Sequence, residues 1–167
     1  MNFWKSTLLI VLVLLPTYAV SAQGLPTDNA YDNRDSPVDL LASYYNAINR
    51  QDYARAYGYW QNAPKSYADF VSGFADTVSA QVIVQPPTHS EGAAGSIYVQ
   101  IPTVLVANHQ DGTEHLYSGC FVTRKSNLQP PDIPAPDVWH LYSADLTEQP
   151  LTRSIPTLLA EACDHTP

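Results

Sequence analysis

Two periodicities divide the chain. Before residue 77, apolar side chains recur at three- and four-residue spacing, the signature of helices with one buried stripe; beyond it they alternate in twos, the signature of strands. The first helix is announced by Ser36-Pro37 followed by Asp39: an N-cap hydroxyl, a proline at the first helical position and an acid in the first turn. Val38, Leu41, Tyr45 and Ile48 then form its stripe, and the helix is expected to end near Arg50. Asp52 caps a second helix carrying Tyr53, Ala56, Tyr57 and Trp60, which stops before Pro64. Ser66 with Asp69 opens a third, whose stripe is Tyr67, Phe70, Val71 and Phe74.

The second half predicts four strands, VSAQVIV, SIYVQIPTVLVANH, EHLYSGCFVTRK and WHLYSADL, all rich in β-branched and aromatic residues. Asp111-Gly112 suits a two-residue type I′ turn between the middle pair. In that register His109 faces Glu114 and His115 faces Asn108, which puts the two histidines on opposite faces of the hairpin and keeps them from sharing a metal. Pro102 has no amide donor and is expected to split its strand at a bulge or bend. Residues 126–138, with four prolines, read as a long exposed connection to the last strand. A short helix over 155–163 would carry Cys163 back to the body. The layout is α+β: three N-terminal helices packed on a curved, mostly antiparallel sheet of about four strands, with a domain over 36–148 and a C-terminal tail over 149–167.

The N-terminus changes the picture from fold to compartment. Leu8 to Leu15 is an unbroken apolar run preceded by Lys5 and broken by Pro16, and Val20 and Ala22 occupy the small-residue positions of a signal-peptidase site. Cleavage after Ala22 is expected, since the run is far short of the roughly 20 residues needed to span a bilayer. The exported chain would then begin with a polar, aperiodic leader over 23–35, be secreted or periplasmic, and keep no stable membrane anchor. In that compartment Cys120 and Cys163 can persist as a disulfide tethering the tail, closing a loop of about 44 residues worth roughly 3–4 kcal/mol.

Charge excludes one class of partner. The chain has 8 Lys+Arg against 16 Asp+Glu, and loss of residues 1–22 removes Lys5 and no acid, which leaves −9 on the exported part. Such a surface repels a phosphate backbone, so nucleic acid is not a partner. No G-x-S-x-G elbow, P-loop, dinucleotide fingerprint or zinc motif occurs, and the sequence calls for no cofactor or metal.

The stretch LASYYNAINRQDYARAYGYW, with Tyr45, Ala47, Asp52 and Trp60 in a Y-x-A-x-x-x-x-D pattern, resembles the opening of the NTF2-like superfamily, including its exported bacterial members. The closing strand WHLYSADL is similar to the superfamily's last strand. The resemblance spans about residues 37–146 and implies a cone with a deep pocket between helices and a concave sheet. In members resembling ketosteroid isomerase or polyketide cyclases, a first-helix Tyr stabilises an oxyanion, and its nearest match here is Tyr44, with Tyr45 pointing about 100° away. The acids of those enzymes have no counterpart: Asp69 is accounted for as a helix cap, and no acid stands near CFVTRKS. Without a positioned base the proton-transfer step is missing.

The remaining signal is aromatic. Tyr44, Tyr45, Tyr57, Trp60, Tyr98, Tyr117, Trp139 and Tyr142 offer apolar area with a polar tip, suited either to core packing or to a pocket. Three readings stand at this point: a non-catalytic module binding a small hydrophobic ligand or another exported protein; an isomerase- or cyclase-type pocket enzyme using Tyr44; and a structural accessory domain that forms a homodimer. A hollow or filled interior separates them.

Overall fold

The computed structural model describes residues 29–87, 89–93, 95–127 and 138–164. The expected export segment and cleavage site, and most of the proline-rich connection, lie outside them. Helix α1 spans Pro37–Asn49, α2 Tyr53–Gly58 and α3 Tyr67–Ser72, each opened by the side chain expected: Ser36 accepts from the Asp39 amide, Asp52 from that of Arg55 and Ser66 from that of Asp69. The strands are β1 Thr77–Val84, β2 His89–Ala93, β3 Ser96–His109, β4 Glu114–Ser126 and β5 His140–Gln149, followed by α4 at Ile155–Glu161. All pair antiparallel in one open sheet ordered β1-β3-β4-β5, with β2 also on β3.

A fifth strand therefore joins the four expected. β2 (HSEGA) is exposed along its whole length and has no apolar alternation to betray it; it exists because β3 outruns β1 and offers backbone partners from Ser96 to Gln100.

Pro102 does not break its strand. The pairing of β3 with β4 runs without a register shift from Ser96↔Ser126 to Asn108↔Glu114, Pro102 lying opposite Cys120. The Pro102 carbonyl accepts from Gln85 on the opposite edge of β3, in the gap between β1 and β2. A residue's N–H and C=O point the same way in a strand, so the missing donor faces Gln85, costs only the reciprocal bond of that pair at the end of β1, and leaves the ladder to β4 intact. The interruption expected in β3 falls instead in its neighbour.

The sheet has two differently covered faces. On one, α1 to α3 pack Leu41, Tyr44, Tyr45, Ile48, Tyr59 and Phe70 against Val99, Ile101, Phe121 and Leu141. The alignment is pinned by Asn49, whose side chain donates to the Ala80 carbonyl (2.8 Å) and accepts from the Ala80 amide (2.7 Å), capping the outer edge of β1. On the other face α4 buries Leu158 and Leu159 against Val104 and Leu116. The C-terminal segment thus supplies a second small core, locked by the Cys120–Cys163 disulfide.

Residues 29–35, expected to belong to a loose leader, are bonded to the domain. Asn33 and Ser43 exchange two hydrogen bonds, Tyr59 donates to Asp32 (2.8 Å), and the Arg34 guanidinium donates to the Trp139 carbonyl while lying 5.6 Å over the Tyr59 ring. Their polar composition reflects side chains that bond rather than pack.

Candidate functional site

Between α1, α3 and the helix-facing side of the sheet lies a cavity of about 450 Å³. Its inner end is apolar and buried, formed by Tyr44 and Tyr45 from α1, Ala80 from β1, Ala107 from β3 and Phe121 from β4. Phe74, Leu105, Tyr117 and Leu146 make the walls, and the exposed mouth is set by Lys65, Gly73, Asp76 and Ala144, with His109 beside Asp76.

Local structure explains why these side chains converge. Cross-strand partners share a face, so the pairs Leu105↔Tyr117, Ala107↔His115, Gly119↔Leu146 and Phe121↔Ala144 align one row across three strands. The small residues Ala107 and Ala144 on that face leave the space that larger ones would fill. Gly119 is required for chain approach: a Cβ there would overlap the Asp145 carbonyl oxygen and lie 2.8 Å from its carbon.

Tyr44 and Tyr45 both line the cavity, although adjacent helical residues point about 100° apart. Their rings meet edge to face at 5.0 Å, and each also lies against Phe121, at 6.3 and 6.2 Å. Burial pushes both phenols well above their ordinary pKa, so they remain neutral O–H groups. Asp76, at the exposed mouth, is the only carboxylate among the described lining residues. No acid stands beside Tyr44, the feature that would have favoured proton abstraction.

The other aromatic candidates divide. Tyr117 lines the cavity wall. Trp60 packs behind the cavity, 6.0 Å from Tyr44 and 6.4 Å from Phe121. Tyr57 meets Tyr67 and Phe70 edge to face, its hydroxyl donating to the Lys65 carbonyl. Trp139 is buried just ahead of β5. Tyr98 and Tyr142 pair edge to face at 5.1 Å on the opposite side of the sheet, in a second pocket of about 400 Å³ with Glu91, Cys120 and Asp145.

The histidine geometry differs from expectation. The β3–β4 connection has three residues between His109 and Thr113: Gly112, at φ +83°, donates to the His109 carbonyl, and the His109 amide donates to Thr113. This is a type I turn followed by a left-handed residue, one position longer than the expected turn. One extra residue shifts the register, sets Ala107 rather than Asn108 opposite His115, and brings both histidines to one face. Their rings stack at 4.3 Å with planes 18° apart. His109 Nδ1 lies 3.3 Å from Asp76, and His115 Nδ1 lies 2.7 Å from Glu148. Among the described residues no group of three or more His, Cys, Asp or Glu is arranged to hold a metal ion.

Much of the lining, notably Phe74, Leu105, Phe121 and Leu146, did not stand out from ordinary core residues in the sequence. The visible signal was the two-residue alternation of Tyr117, Gly119 and Phe121, which places all three on one face. No family model matches the chain, and no curated protein matches it either.

Proposed function

We propose that this protein is an exported, non-catalytic binding module that holds a small hydrophobic molecule between its helices and its sheet. The cavity carries the reading: about 450 Å³ with a buried aromatic inner end and its charged groups confined to the mouth, within the size and character of small-molecule sites. Three capped helices ahead of a sheet that encloses a pocket support an NTF2-like cone. Export is supported by the Cys120–Cys163 disulfide and by the Leu8–Leu15 run; among the described residues no helix is long and apolar enough to cross a membrane.

The test is titration of the disulfide-bonded chain with the fluorescent apolar probe N-phenyl-1-naphthylamine, beside the variant Ala144→Trp. Ala144 is an exposed lining residue on β5, so a larger ring there blocks the mouth without entering the core. Saturable binding by the unmodified chain, and its loss in the variant at unchanged melting temperature, is the expected result. Absence of binding, or equal binding by both, overturns the proposal and turns the search to protein partners.

A further inference from the structure

The stacked histidines at the mouth define which polar group a cavity occupant carries. Of the four ring nitrogens, two are hydrogen-bonded, His115 Nδ1 to Glu148 (2.7 Å) and His115 Nε2 to the Thr113 hydroxyl (3.0 Å), and His109 Nδ1 lies at ion-pair distance from Asp76 (3.3 Å). His109 Nε2 has no hydrogen-bonding partner among the described residues. His109 is also the member of the pair that lines the cavity.

Asp76 determines what that nitrogen can do. The negative charge of a carboxylate favours the proton on the imidazole nitrogen nearest it, and a neutral ring with its proton on Nδ1 presents Nε2 as an acceptor. The arrangement is held rigidly. Gln110, next to His109, donates its backbone amide to the Asp76 carbonyl and its side-chain amide to the Ala75 carbonyl, both at 2.9 Å. The parallel His115 ring covers one face of His109, and Tyr117 extends the stack at 6.4 Å from His115.

We infer that His109, oriented by Asp76, recognises a hydroxyl group on an otherwise apolar cavity occupant: the ligand is a hydroxylated hydrophobe whose O–H donates to Nε2. A carboxylate head group has no proton to give an accepting Nε2 and would meet the Asp76 carboxylate beside it. The inference rests on the binding function proposed above and specifies its ligand class.

Binding of naphthalene, 2-naphthol and 2-naphthoate to the disulfide-bonded chain tests it. One neutral hydrogen bond should favour 2-naphthol over naphthalene by about 3- to 10-fold, with 2-naphthoate weaker than 2-naphthol. His109→Phe keeps a stacking ring and removes the acceptor, so the ratio of 2-naphthol to naphthalene affinity should fall to about one. Equal binding of naphthalene and 2-naphthol to the unmodified chain, tightest binding of 2-naphthoate, or a preference undiminished in His109→Phe overturns hydroxyl recognition alone. Failure of all three probes to bind overturns the cavity-binding function with it.

Discussion

Replacing both cysteines, Cys120→Ala with Cys163→Ala, probes the join between α4 and the sheet. The bridge links residues 43 apart in sequence, and the chain-entropy argument assigns a loop of that length about 4 kcal/mol of stabilisation through restriction of the unfolded chain. Leu158 and Leu159 remain against Val104 and Leu116 in the variant, so α4 should stay docked in the native state and the loss should lie mainly in the unfolded ensemble. For a chain of this size about 4 kcal/mol corresponds to a fall in melting temperature of roughly 10–15 °C. Reversible urea denaturation followed by circular dichroism, on the oxidised chain, the reduced chain and the double variant, measures it. The reduced chain and the variant should agree, and both should keep binding N-phenyl-1-naphthylamine, because the bridge lies on the sheet face away from the cavity. A loss under about 1 kcal/mol would refute the entropic account. Loss of probe binding at full native signal would refute the independence of the two faces.

Four further outcomes follow from the same geometry. Gly119→Ala drives a methyl group into the Asp145 carbonyl and should destabilise by more than about 3 kcal/mol, seen as a collapse in soluble yield or in the urea midpoint. Asn49→Ala unpairs both backbone groups of Ala80 beneath α1 and should cost about 1–3 kcal/mol in urea denaturation. Ser66→Ala removes the α3 cap and should cost about 1 kcal/mol by the same assay. Burial, reinforced by Arg34 and Arg124, holds the His140 imidazole below its ordinary pKa, so the unfolded chain protonates there first; stability should decline as pH falls below about 6.5, and His140→Gln should flatten that decline between pH 7.5 and 5.5.

The helices were legible because their starts are written in single residues: Ser36, Asp52 and Ser66 each satisfy an amide that helix geometry leaves unpaired. The long strands were legible from alternation, and the disulfide from two cysteines in a chain whose sequence leads one to expect export. What escaped depended on relations between distant segments. β2 has no hydrophobic pattern and is held by the exposed edge of β3. The tolerance of Pro102 depends on its facing the end of β1, which local sequence does not display. The histidine stack turned on one residue of loop length, since either of two turn types accepts Asp111-Gly112 and they yield opposite faces. Among the aromatic candidates, Tyr44, Tyr45 and Tyr117 reached the cavity, whereas Tyr98 and Tyr142 went to the other face; identical chemistry at odd and even strand positions is sorted by register, which composition does not carry.

The gap opposite Pro102 also divides the sheet in time. β1 is clamped by Asn49 under α1, whereas β2 is exposed along its length and held through its pairing with β3. Amide hydrogens of residues 89–93 should exchange through small local openings, orders of magnitude faster than those of Ile101 to Ala107, which exchange on wholesale unfolding. The margin carrying β2 can therefore detach and re-form while the cavity walls stay intact, and a proline inside a central strand becomes the boundary between two independently breathing regions.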